Sequence, residues 1–235
     1  MKNILRKARS YIFKPKPSQN RFNFVDIGFH GDDYLLNLVD TLLKKSNFFV
    51  ETGTNVGSTL AYVARNYPSI SCLSCEPDID AYQHALANVS NYSNVSLFNE
   101  TSQKFLKQVL NQESIINSEV LFWLDAHGYG FEWPLKEEIE LITKAKNKAF
   151  ILIDDFLVPE LDCFGYDKHE GQVCSFDFIA DSLNVRHHYS LYYPKYTDKT
   201  SKHHPLRGWG LIEYGHDQKI AFPKQLKDKI KNENL

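Results

Sequence analysis

Apolar positions along the chain recur in two rhythms. Over residues 32–45, Leu35, Leu36, Val39, Leu42 and Leu43 fall at helical spacing, so a helix is predicted just ahead of a first strand. Phe48-Phe49-Val50 then runs into Glu51-Thr52-Gly53-Thr54-Asn55-Val56-Gly57-Ser58-Thr59, and helical spacing resumes at Leu60, Val63 and Ala64. That stretch reads as strand, tight turn, helix. Short apolar runs at residues 70–75, 94–98, 120–124 and 150–153 predict four more strands, with helices over 79–90 and from Leu135 through Ile139 and Ile142. Strands alternating with helices predict an α/β fold with a parallel sheet. Beyond it, residues 156–173 read as a substrate-facing loop, 174–183 as a helix, and 185–193 and 206–214 as two further strands. From Pro223 the lysine-rich stretch is expected to be a solvated terminal helix.

Length and charge narrow the picture. A chain of 235 residues supports one sizeable core, divided here into a basic extension (1–30), a main domain (31–222) and a tail (223–235). The formal net charge of -2 gives no polyanion-binding surface, so nucleic acid is not an expected partner. Cys72 and Cys75 form C-x-x-C inside a strand-like run, where positions three apart face opposite ways. Buried free thiols are expected, and with them a reducing cytoplasm. No run has the length of a membrane-spanning helix, and the N-terminus lacks an uninterrupted apolar signal core. Lys2, Arg6, Lys7, Arg9, Lys14 and Lys16 interleave with Ile4, Leu5, Tyr11, Ile12 and Phe13. Such an arm either touches a membrane surface peripherally or frays and packs in a homo-oligomer.

Chemistry gathers at the predicted strand ends. Gly53 and Gly57 lack a Cβ, so the loop that also holds Thr54, Asn55 and Thr59 can bend sharply and admit a ligand to the N–H groups of the next helix. Glu76, at the tip of the second strand, is placed to accept hydrogen bonds from two ribose hydroxyls. Asp125 follows the fourth strand and Asp154-Asp155 ends the fifth, so the three carboxylates are expected to converge in one crevice. Their repulsion would force a proton onto one of them unless a divalent cation intervenes.

The pattern Glu51-x-Gly53-x-x-x-Gly57 resembles the first motif of class I S-adenosylmethionine-dependent methyltransferases. Residues 95–103 look like the segment of catechol O-methyltransferase-type enzymes in which a Ser-Gln pair, here Ser102 and Gln103, contacts adenine. An Asp after the fourth strand and an acidic pair after the fifth resemble the cation-dependent O-methyltransferases of the catechol and macrolide-sugar types. The resemblance spans residues 45–215 and implies a Rossmann-like methyltransferase domain with a mostly parallel seven-stranded sheet, a C-terminal antiparallel hairpin and helices on both faces. It implies S-adenosylmethionine held by Glu51, Gly53, Thr54, Asn55, Gly57, Thr59, Glu76, Ser102, Gln103 and Asp125, with Mg²⁺ or another divalent ion on Asp125, Asp154 and Asp155. The expected acceptor is a sugar or other small polyhydroxylated molecule whose vicinal hydroxyls chelate the ion. The catechol enzymes place a lysine three residues after the first metal aspartate, where this chain has Gly128. His127 takes its place as the expected base beside Asp125, with a metal contact or a hydrogen bond to a carboxylate as its other roles. A metal-independent methyltransferase using His127, and a NAD-dependent oxidoreductase with Glu76 on its ribose, remain the alternatives.

Overall fold

The computed structural model describes residues 23–126, 133–169, 171–198, 200–201 and 205–233. A short 3-10 turn at Phe29–Gly31 leads into α1 (Asp33–Leu43), whose N-cap Asp32 accepts from the N–H groups of Tyr34 and Leu35. Then follow β1 (Phe48–Thr52), α2 (Ser58–Asn66), β2 (Ser71–Cys75), α3 (Ile79–Val89), β3 (Val95–Phe98), α4 (Ser102–Val109), α5 (Glu113–Ile116) and β4 (Val120–Leu124). After α6 (Leu135–Ala145) and β5 (Ala149–Asp154) come a small hairpin of β6 (Lys168–His169) and β7 (Gln172–Val173), then α7 (Phe176–Ile179). The chain closes with β8 (Tyr189–Pro194), β9 (Trp209–Tyr214), α8 (Lys224–Lys227) and β10 (Ile230–Glu233).

The main sheet runs β10-β8-β9-β5-β4-β1-β2-β3 and has eight strands where seven were expected. The five strands from β5 to β3 are parallel, and β9, β8 and β10 are antiparallel additions. The eighth strand comes from the stretch expected to be a solvated helix: only Lys224–Lys227 is helical, and Ile230–Glu233 pairs with β8. Its polar sequence fits an edge strand, which has one neighbour and one solvated side. Central β4 and β5 are buried along their whole length, which explains their unbroken apolar runs. Side chains such as Phe49, Phe122 and Ile151 are fully buried, each contributing about 1.5–3 kcal/mol. α2 packs beside α3 and α4 beside α6; the right-handedness general to parallel crossovers would put two such pairs on opposite faces of a sheet whose strand order reverses.

Lys146 follows α6 and is turned inward rather than to solvent. It is buried, and its ammonium donates to the carbonyls of Ile115, Ile116 and Ser118 at 2.6, 2.8 and 2.6 Å, so it closes the end of α5. Burial lowers its pKa to about 8. Cys72 and Cys75 are buried free thiols, as expected, and burial drives the Cys72 pKa up to about 12. Among the described residues no helix is long and apolar enough to cross a membrane. The basic arm, His127, Gly128, His203 and His204 lie outside the described residues.

Candidate functional site

Strand register assembles the site. Thr52 is level with Leu124 and Leu124 with Ile153, so the next residues, Gly53, Asp125 and Asp154, form a row at the carboxyl ends of β1, β4 and β5. The strand order reverses between β1 and β4, which is where an open α/β sheet leaves a crevice. A cavity of about 470 Å³ opens there, lined by Glu51, Gly53, Thr54, Asn55, Thr59, Asp125, Asp154 and Asp155. That volume suits a small-molecule ligand.

The glycine loop is shaped by what it lacks. Gly53 has φ +84°, and a Cβ there would overlap the carbonyl of Asp125. Gly57 caps α2 in the left-handed conformation; a Cβ there would stand 3.3 Å from the Ala85 Cβ, so this glycine serves the approach of α3. Glu51, on β1, accepts from Ser74 Oγ at 2.5 Å, and Ser74 also meets Thr54 Oγ1 at 2.5 Å. Glu76 accepts from the N–H groups of Asn55 at 2.8 Å and Asp78 at 2.9 Å, so it braces the loop from the second strand. Ser102 is buried at the start of α4 with Gln103 beside it, their side-chain oxygens 3.5 Å apart.

The acids are under electrostatic load. Desolvation, opposed by the Ser74 hydrogen bond, raises the Glu51 pKa to about 8. Asp125 is pushed well above the usual carboxylate range, first by desolvation and then by Asp154 and Asp155. Asp155 rises to about 7, by desolvation and then Asp154, with Arg207 opposing. The sign of the Glu51 effect yields a test. Its folded-state pKa lies above the unfolded 4.5, so the folded chain keeps a proton the unfolded chain has lost, and stability falls as pH rises from about 4.5 to about 8. Glu51→Gln should flatten that slope and leave the ligand-free protein more stable than wild type at pH 8.5, by on the order of a few kcal/mol, read from denaturant melts at several pH values.

Two site residues were missed by sequence reasoning. His30 Nε2 lies 2.7 Å from Asp154 Oδ2, and the Arg207 guanidinium 2.9 Å from Asp155 Oδ1 and 4.0 Å from Asp167. Both line the cavity. Burial disfavours the His30 imidazolium, but Asp154 outweighs it and the pKa is raised overall. Arg207 had a legible signal, because β9 runs antiparallel to β5 with Trp209 opposite Asp154, and residues just before Trp209 must reach the crevice. His30 had none, lying in a turn without periodicity. Among the described residues no group of three ligating side chains is gathered as around a bound metal ion.

No protein-family model matches the chain, and no curated protein is similar to it in sequence. Solved structures do share its architecture. The O-methyltransferase TomG from Streptomyces achromogenes, involved in tomaymycin synthesis and bound to SAM, matches with TM-score 0.53 and 14% identity over 78% of this chain and 79% of that one. An O-methyltransferase from Bacillus cereus bound to SAH matches with TM-score 0.51 and 16% identity over 77% and 79%. A SAM-dependent methyltransferase from Aquifex aeolicus matches with TM-score 0.50 and 15% identity over 84% and 93%. The chain has the class I methyltransferase fold.

Within that fold the expected residues divide. Glu51, Gly53, Thr54, Asn55, Thr59, Asp125, Asp154 and Asp155 share the cavity, whereas Gly57, Glu76, Ser102 and Gln103 are not part of its lining. Residues 127–132, which begin two positions after Asp125, lie outside the described residues. Backbone strain concentrates at the same place. Of the five non-glycine residues with positive φ among the described residues, His30 (57°), Asn55 (49°) and Asp155 (48°) line the cavity. Strained backbone persists where surrounding structure enforces it, and it clusters at functional sites.

Proposed function

We propose that the protein is an S-adenosylmethionine-dependent O-methyltransferase, assisted by a divalent cation, that methylates a hydroxyl of a sugar or another small polyhydroxylated acceptor. The observation that carries this reading is the shared cavity, in which the buried Glu51 beside the glycine loop and the three strand-end aspartates face one space. A carboxylate with a pKa near 8 is poised to ionise against a cationic ligand, and the donor is a sulfonium carrying an ammonium group. Gly53 and the loop after it let that donor approach the backbone closely.

The donor set has the chemistry a hard cation takes, all carboxylate oxygens, although the described side chains are not gathered as around a bound ion; desolvation first and then mutual crowding hold Asp125 and Asp155 above their ordinary range. Asp125, Asp154 and Asp155 would hold Mg²⁺ or a similar ion, and its Lewis acidity would lower the pKa of the acceptor hydroxyl. The chain's own part is alignment. Acceptor oxygen, methyl and sulfur must lie in line, and the aspartate row beside the glycine loop sets both partners on one cavity wall. His127, two residues after Asp125 in sequence, is the proposed proton acceptor. Arg207 lends positive charge to the acidic wall, and His30 does so when protonated.

The test is transfer of labelled methyl from S-adenosylmethionine to small polar metabolites fractionated from cells lacking the gene. Thorough chelation should lower transfer at least about a hundredfold, and Mg²⁺ should restore it. Undiminished transfer after chelation would give the reaction to a metal-independent mechanism. Calorimetry showing that the protein binds NAD in preference to S-adenosylhomocysteine would overturn the methyltransferase reading altogether.

A further inference from the structure

His30 reaches Asp154 from 124 residues away, on a turn the chain holds in an unfavourable conformation. Phe29, His30 and Gly31 have φ of 53°, 57° and 66°, three successive left-handed residues. Only glycine adopts that region freely, and for a bulky residue such as Phe it is a genuine outlier. A turn needed only to reverse the chain would be better served by glycine or asparagine.

The surroundings hold this turn from every side. The Phe29 ring is buried edge-on against Phe49, Tyr62 and Trp123, with centroids 6.3, 6.1 and 5.0 Å away. Ser201 Oγ donates to the His30 carbonyl at 2.9 Å. The next residue, Asp32, accepts from Tyr196 Oη at 2.5 Å and Thr200 Oγ1 at 2.7 Å, tying the turn to the β8–β9 connection. Those contacts fix the position from which the imidazole meets a carboxylate that is only 1% exposed.

We propose that His30 is a positioning residue for Asp154, its ring nitrogen pinning one carboxylate oxygen and thereby setting the plane of the group and the direction of the other oxygen. This rests on the proposed role of Asp154 in holding the cation. A hydrogen bond from an outer residue is the usual means of orienting a ligand group, and its loss typically weakens metal affinity about 10- to 100-fold.

The test uses the full chain, with Mn²⁺ as the probe, followed by paramagnetic resonance in the presence of S-adenosylhomocysteine. His30→Gly suits the left-handed backbone and removes the ring; His30→Gln restores an N–H donor of similar reach. The glycine variant should remain cooperatively folded, bind S-adenosylhomocysteine within about twofold of wild type, and bind Mn²⁺ about 10- to 100-fold more weakly. The glutamine variant should recover most of the loss. Unchanged Mn²⁺ affinity in His30→Gly would overturn the proposal, as would a lower melting temperature with loss of S-adenosylhomocysteine binding, which would make His30 a structural residue. If the wild type binds no Mn²⁺, the cation reading fails by itself, and crystal structures decide the matter: a single Asp154 orientation in wild type that is lost in His30→Gly supports positioning, and the same orientation in both overturns it.

Discussion

Gly53→Ala is expected to destabilise the protein by about 3 kcal/mol or more and to weaken S-adenosylhomocysteine binding at least about a hundredfold. Two costs act together. At φ +84° the residue sits where an L side chain is disfavoured, by about 1–2 kcal/mol. The new methyl would also overlap the carbonyl of Asp125 and press on the backbone of Ala126, and neither can swing aside as a flexible side chain would. Because Asp125 donates its N–H to the Thr52 carbonyl at 3.0 Å, pushing this segment away opens the β1–β4 junction on which the crevice depends. Denaturant melts and titration calorimetry check both effects. An alanine variant as stable as wild type would mean that the strand ends are less closely packed than described.

Asp125→Asn is expected to lower methyl transfer about a thousandfold, or ~4 kcal/mol of barrier, while leaving the ligand-free protein as stable as wild type or more so. The two effects share one cause. Asp125 is raised by desolvation and by the charges of Asp154 and Asp155, so a neutral amide removes repulsion from the resting cluster. The same change removes a charge proposed to hold the cation beside the acceptor. Loss of activity with gain of stability is the mark of a site kept under strain for function. Loss of both together would instead indicate that Asp125 supports the fold.

Much of this arrangement was legible in the sequence, for physical reasons. The parallel strands announced themselves because strands covered on both faces must be apolar throughout, as β4 and β5 are. The convergence of Asp125 with Asp154 followed from register: parallel neighbours end at the same edge, and the residues at their carboxyl ends are forced together. What the sequence concealed depends on tertiary contacts. His30 lies in a left-handed turn held by Phe29 packing and by the 196–201 segment, and no local pattern encodes that. β10 was hidden because an edge strand such as Ile-Lys-Asn-Glu needs only Ile230 buried, so lysine content reads as solvation. Arg207 was derivable from the antiparallel β5–β9 pairing once the hairpin was expected.

One crevice is proposed to hold the methyl donor beside a cation gripped by strand-end acids. Anomalous diffraction from crystals grown with S-adenosylhomocysteine and Mn²⁺ tests it most directly. The nucleoside should lie along the glycine loop with its amino-acid end near Glu51, and an anomalous peak should stand within coordination distance of Asp125, Asp154 and Asp155. A well-ordered S-adenosylhomocysteine with no peak among those carboxylates would contradict it.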